Sequence, residues 1–191
     1  MQICLGIDII RAVILKIVGI KNPILRQKAK AVGKIDKKIL NLIANMNDTL
    51  KSQKDPEGVG LAAPQVGKSL RIFVTNYKKL KKVVINPEVI KIEKTKSVSS
   101  KKSKRGRQIL EGCLSLPYYY GPIKRANKIK IKYLNEKNEE KIEEFDGFNA
   151  QIIQHEIDHL NGDLFIDRIL TQKAPLYKFG EGDEWEEVEL T

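Results

Sequence analysis

Apolar residues recur between Ile35 and Leu50 at Ile35, Ile39, Leu42, Ile43, Met46 and Leu50. Steps of three and four put them on one face of an α-helix, and Asp36 stands near its start, where a cap belongs. A different period governs Ile129–Leu134 (IKIKYL), where apolar and polar positions alternate as in a strand with one buried face. Glu140–Phe145 is placed to pair with it through a turn at Asn135–Asn138. Leu70–Asn76 (LRIFVTN) and Lys82–Asn86 (KVVIN) also read as strands. Asn86-Pro87 is expected to turn the chain, with Val89–Ile92 starting a further strand. Asn149–Leu160 reads as a helix stopped by Asn161-Gly162, and Trp185–Leu190 (WEEVEL) as a last strand. Asn22-Pro23 marks an early turn and residues 52–60 a loop. Part of the first twenty residues is β-branched enough for a strand, while residues 1–11 read as a loosely attached extension. Strands flank a helix without regular βαβ alternation, which predicts one α+β domain spanning residues 1–191.

A chain of 191 residues, 41% hydrophobic and 31% charged, suits such a domain. Its two cysteines, Cys4 and Cys113, are too few and too distant for a disulfide framework, so a reducing, cytoplasmic setting is expected. The apolar start is interrupted by Asp8, Arg11 and Lys16, which argues against a membrane span. It also lacks the basic opening and cleavage site of a secretory signal, and no clear transit peptide points to an organelle. The net charge of +11 is uneven: Lys91–Arg107 is strongly basic and Glu181–Glu189 acidic. Runs of this kind are first of all solvated surface. The basic one would also suit RNA, although no aromatic residue interleaves its lysines as a base-stacking surface needs.

The chemistry concentrates in three segments. The only histidines, His155 and His159, stand four residues apart with Glu156 directly after the first. On a helix they share a face, where two imidazoles can grip one metal ion while the glutamate faces a water beside it. Gly58–Gly67 (GVGLAAPQVG) is rich in small residues that admit close backbone approach, but its glycine spacing and Pro64 exclude a dinucleotide-binding turn. Glu111–Pro117 (EGCLSLP) places Cys113 outside any long regular element. Read singly, Cys113 would be a buried core thiol and the glycine-rich segment a tight turn into a strand.

Together, G-V-G-L-A-A-P-Q at 58–65, E-G-C-L-S at 111–115 and Q-H-E-I-D-H at 154–159 closely resemble the three hallmark segments of the peptide deformylase family, in the family's order. The resemblance runs from about Ile14 to about Ile169. It implies mixed and antiparallel strands around a central metal-bearing helix. It also implies a metal-dependent hydrolase that removes the N-formyl group from the N-terminal formylmethionine of newly made proteins, releasing formate. Cys113, His155 and His159 are then the ligands of one divalent metal ion, usually Fe2+, with Zn2+ or Ni2+ also suited to such a site. Glu156 is the general acid and base. The Gln65 side-chain amide and the Leu114 backbone N–H donate to the developing oxyanion. Val59, Leu114 and Phe148 are candidates for an apolar methionine pocket, and the backbones of Gly60 and Gly112 for pairing with an extended peptide.

Glu111 or Asp158 is expected to pair with Arg125 and orient the metal loop, against the plainer reading of three exposed charges. Three features depart from familiar members: the rim Tyr118-Tyr119-Tyr120, the longer basic insertion at 93–108, and the short acidic tail at 173–191. Some members dock on the ribosome through a long C-terminal helix, which this tail does not predict. The expectation is a monomer with no membrane partner and transient ribosome contact. Two rival readings stand beside this one. A zinc peptidase would take its third ligand downstream of the histidine pair, whereas Cys113 lies upstream. A non-catalytic RNA-binding protein would have no need of Glu156.

Overall fold

Asp36 caps the first helix as its position suggests. The structure, a computed structural model, describes residues 13–54, 57–93, 110–180, 182 and 184–189. In it the Asp36 side chain accepts from the Ile39 N–H at 3.0 Å and opens helix α1 (Lys37–Ser52). The buried stripe of α1 runs through Ile43, Met46 and Leu50. Each such side chain contributes about 1.5–3 kcal/mol when fully removed from water.

Strand β1 (Gly60–Ala62) leads through a 3-10 turn at Ala63–Val66 to β2 (Ile72–Tyr77) and β3 (Leu80–Glu93). Beyond the short strands β4 (Glu111–Cys113) and β5 (Leu116–Gly121) come β6 (Lys128–Leu134) and β7 (Glu140–Asp146). The first sheet has the order β1-β2-β3-β6-β7, with every neighbouring pair antiparallel. Successive β2 residues serve different cores: Phe73 packs with Ile131, Ile153 and Leu160, while Ile72 and Val74 pack with Met46 and Leu50. Side chains alternate across a strand, so α1 covers one face of this sheet and helix α2 (Gly147–Asn161) the other. That double cover explains why LRIFVTN is apolar without alternation.

Helix α3 (Phe165–Gln172) and the hairpin β8 (Leu176–Phe179)–β9 (Trp185–Val188) complete the chain. The second sheet, β4-β5-β8-β9, encloses a smaller core of Ile123, Phe165, Ile169 and Leu176. Buried on nearly all sides, α2 packs on the first sheet through Ala150, Ile153, Ile157 and Leu160, and meets β4 where His159 approaches Cys113. It ends at Gly162, whose φ of 85° is the left-handed cap conformation expected of Asn161-Gly162.

Two expectations are corrected. Asn86-Pro87 does not turn the chain: β3 runs through it to Glu93, absorbing Val89–Ile92. The register with β6 shifts between Ile85 and Glu88, and Asn86 takes φ 51° there, anchored by side-chain bonds to the Val32 backbone at 2.8 and 2.9 Å. A bulge of this kind is where a strand tolerates a proline. Residues 13–20 form no strand. They lie across the site loops, Val18 N–H donating to the Gln65 carbonyl at 2.8 Å and Ile20 N–H to that of Ser115 at 2.9 Å. The extension at 1–11 and all but the first residue of the basic insertion at 93–108 fall outside the described residues. No helix follows α3 among the described residues, and none of the described helices is long and apolar enough to cross a membrane.

Candidate metal centre and substrate pocket

Strand β4 stops at Cys113 because its register with β5 breaks between Gly112 and Cys113. The thiol leaves the sheet there and meets α2. On that helix Gln151, His155 and His159 follow one another at intervals of one turn, so they share a face. Cys113 Sγ lies 3.3 Å from His159 Nε2, and the available donor atoms of Cys113, His155 and His159 all lie within 4.8 Å of one another. Two tetrahedral ligands, one sulfur and one nitrogen, stand roughly 3.5 Å apart around a single ion. The cluster therefore fits a cation held by one thiolate and two imidazoles.

Glu111 fixes one of those rings. Its Oε1 lies 2.7 Å from His155 Nδ1 and keeps the proton there, which leaves Nε2 free to coordinate. Arg125 in turn holds Glu111, with Nη2 at 2.6 Å and Nε at 2.9 Å. Its Nη1 reaches Asp158 Oδ2 at 2.6 Å, and Arg168 braces the same carboxylate at 2.6 and 3.0 Å. Arg125 thus pairs with both acids. All three residues are buried, which overturns the plainer reading of exposed charges. Burial opposes ionisation of Glu111 and Asp158, but Arg125 outweighs it and holds both carboxyls below their ordinary range. Burial likewise opposes the Cys113 thiolate, and the two imidazoles outweigh it, holding that thiol well below its usual pKa. His155 is pushed well above its ordinary pKa, because the Glu111 and Cys113 anions overcome the burial that favours the neutral ring. A site that draws a proton so strongly draws a cation in its place.

Glu156 is turned the other way, onto β1. Its carboxylate packs so tightly on Gly60 that a Cβ there would stand 2.2 Å from Oε1. Oε2 is buried with no hydrogen-bond partner among the described residues. Burial pushes this carboxyl up to about 7, against the pull of the two imidazoles. Such a group can take and return a proton near neutrality. Gln65 lies on the 3-10 turn, with Oε1 accepting from the Ala62 N–H at 2.8 Å. That bond aims Nε2 at Cys113 Sγ (3.5 Å) and Ser115 Oγ (3.3 Å).

One pocket opens beside this cluster. Val59, Gly60, Gly112, Leu114 and Phe148, the five residues expected to bind substrate, all line it, as do Cys113, His155, Glu156 and Gln65. His159 is not among the lining residues. The rim is aromatic: Tyr118, Tyr119 and Tyr120 line it, and Tyr120 packs edge-on to Trp185 at 5.4 Å. Gln151, Ile152, Ser115 and Arg168 were not anticipated. Gln151 had a signal, its position one turn before His155 on the same face. Ile152 and Ser115 lay within recognised segments without a charge or ligating atom to single them out. Arg168 lay beyond all of them.

The profile of the family described as polypeptide deformylase matches residues 14–174. A peptide deformylase of Halothermothrix orenii is 45% identical over 160 residues, covering 82% of this chain and 94% of that one. One from Thermotoga maritima is 41% identical over 157 residues, covering 82% and 88%. The crystal structure of the peptide deformylase from Thermotoga maritima superposes with a TM-score of 0.71 at 40% identity, covering 81% of this chain and 97% of that one. A class I type b peptide deformylase from Acinetobacter baumannii, solved with Met-Ala-Ser bound, gives 0.70 at 32% identity, covering 83% and 99%. With the three-residue cluster in place and both kinds of likeness spanning most of its length, this chain belongs to the polypeptide deformylase family and is a metal-dependent hydrolase.

Proposed function

We propose that the chain removes the formyl group from the N-terminal methionine of newly made proteins at the pocket beside Cys113, His155 and His159, with Glu156 moving the proton. The observation that carries this reading is the convergence of those three donors next to a buried glutamate whose carboxyl stands near pH 7. Cys113 Sγ, His155 Nε2 and one nitrogen of His159 would hold one divalent cation. We assign it as Fe2+, as the family resemblance implies, although one thiolate and two imidazoles also suit Zn2+ or Ni2+. When bound, the cation supplies Lewis acidity, activating water and polarising the formyl carbonyl.

The protein's own groups do the rest. Glu156 accepts the proton of the attacking water and passes it to the departing amine. As the formyl oxygen gains charge, Gln65 Nε2 and the Leu114 N–H donate to it; one such donor is worth about 3 kcal/mol. Val59, Leu114 and Phe148 receive the methionine side chain, and the Gly60 and Gly112 backbones flank the extended peptide. The Tyr118–Tyr120 rim supports contact with later residues. A thiolate of this kind suits the reducing cytoplasm, and the net charge of +11 supports transient contact with the ribosome.

The test is formate release from formyl-Met-Ala-Ser by protein purified without air and loaded with Fe2+ or Ni2+. Catalytic release is expected; no formate from fully loaded protein would contradict the reading.

A further inference from the structure

The two donors assigned to the developing oxyanion come from different parts of the fold. Gln65 lies on the 3-10 turn after β1, and Leu114 in the loop between β4 and β5. β1 belongs to the first sheet, β4 and β5 to the second, so no strand ladder sets the distance between the two donors. Neither piece is stiff by itself. The turn is four residues long, and the β4–β5 register breaks between Gly112 and Cys113.

Residues 13–20 cross that gap. Val18 N–H donates to the Gln65 carbonyl at 2.8 Å, and two residues later Ile20 N–H donates to the Ser115 carbonyl at 2.9 Å. Ser115 directly follows Leu114, and its hydroxyl accepts from Gln65 Nε2 at 3.3 Å. The crossing segment is anchored on both sides. Upstream, Leu15 N–H donates to the hydroxyl of buried Thr49 on α1 at 2.8 Å. Leu15 and Ile17 pack on the core that contains Ala63 and Val66 of the turn, and Leu114 packs on it too. Downstream, Asn22 N–H donates to the Gly19 carbonyl at 2.9 Å and opens a short 3-10 turn, Pro23–Arg26, that buries Leu25. An oxyanion donor acts only within hydrogen-bond reach of the oxygen as it forms, so the hold on its backbone matters more there than elsewhere.

We infer that Val18 and Ile20 are positioning residues for deformylation, their backbone N–H groups holding the Gln65 turn and the Leu114 loop at the separation the oxyanion requires. This rests on the deformylase reading, which makes Gln65 and Leu114 the donors. Neither Val18 nor Ile20 lines the pocket, so each acts through the loop it holds. Their bonds should count in the transition state and not in the bound peptide.

Val18→Pro removes the first N–H, and proline suits an extended backbone. Replacing Val18 by its α-hydroxy acid, which turns the amide into an ester, removes the same N–H and keeps the side chain; it serves should Val18→Pro not fold. Gly19→Ala is the control, because a Cβ there meets nothing within 4 Å and both bonds remain. On metal-loaded protein with formyl-Met-Ala-Ser, loss of the Val18 N–H should lower kcat about tenfold, part of the roughly 10²-fold that a whole donor is worth. KM and metal content should hold, and Gly19→Ala should match the parent. In a Gln65→Leu background the same change should cost less than about twofold, because the donor it positions is gone. A general loosening of the fold would cost as much in both backgrounds. NMR of the Zn2+-loaded protein follows the Gln65 side-chain NH2 itself, assigned by its disappearance in Gln65→Leu, and its resonance should move when the Val18 N–H is removed. An unchanged kcat, or an equal loss with and without Gln65, overturns the inference. If the parent protein releases no formate, the deformylase reading fails, and the NMR comparison still decides whether Val18 holds Gln65.

Discussion

On the proposed reading Glu156 and Gln65 act on the same formyl group, and their removal should leave different signatures. Glu156→Gln keeps the shape of the side chain but loses its base. Its kcat should fall roughly 10²- to 10⁴-fold, with metal content unchanged by elemental analysis. Gln65→Leu should lower kcat roughly 10²-fold with little change in KM, because its amide is needed only as the oxyanion forms. Gly60→Ala would drive a methyl group into the Glu156 carboxylate, 2.2 Å from Oε1. At least about tenfold loss of kcat is expected from misplacing that group, with the melting temperature nearly constant; full activity would mean that Glu156 is not held by Gly60. At this scale the sequence was most legible, since a histidine pair at helical spacing announces its own geometry. The partner of Glu111 was only half legible. Nothing in the order of residues says that one guanidinium can hold Glu111 and Asp158 together, or that Arg168 braces the second.

The charged brace links β4 to α2, and so belongs to the elements rather than to any one residue. Arg125→Ala would strip buried Glu111 of its guanidinium and leave Asp158 to Arg168 alone, a change expected to destabilise the protein by about 3–5 kcal/mol. Urea unfolding measures that loss, and the metal retained after dialysis should fall with it because His155 loses its fixed acceptor. Unaltered stability and metal content would show that the brace is ornamental. Elements with strong local signals were readable: the 3.6-residue period and cap of α1, the glycine stop of α2, the alternation of β6 and β7. Others depend on partners. β3 passes through Asn86-Pro87 only because the Val32 backbone holds Asn86 in a bulge. α3 spans Phe165–Gln172, too short to persist alone, and is held by burying Phe165 and Ile169. β8 is four residues long and gains its identity from pairing with β5 and β9. The β-branched residues of 13–20 have the propensity of a strand but bond to the loop carbonyls of Gln65 and Ser115 instead of a sheet edge.

At the scale of the whole molecule, the three apolar cores are built almost wholly from other side chains, Cys113 alone of the three donors belonging to one of them. The protein should therefore stay folded when a chelator removes the ion, with its far-ultraviolet circular dichroism preserved. Its melting temperature should fall by roughly 10 °C, the effect of about 4 kcal/mol of ligand linkage in a chain of this size. Collapse of the spectrum on chelation would instead make the ion a structural staple. The overall architecture was legible as a class, strands about a central helix. Its division into two sheets was not, because β4, β5 and β8 are short and only their mutual pairing defines the second. What joins the scales is the proposal that a thiolate from β4 meets two imidazoles of α2 on one cation. X-ray absorption at the metal edge of protein purified without air measures that meeting directly. One sulfur neighbour at about 2.3 Å, lost in Cys113→Ala, is the predicted result. A bound metal with only nitrogen and oxygen neighbours would contradict it.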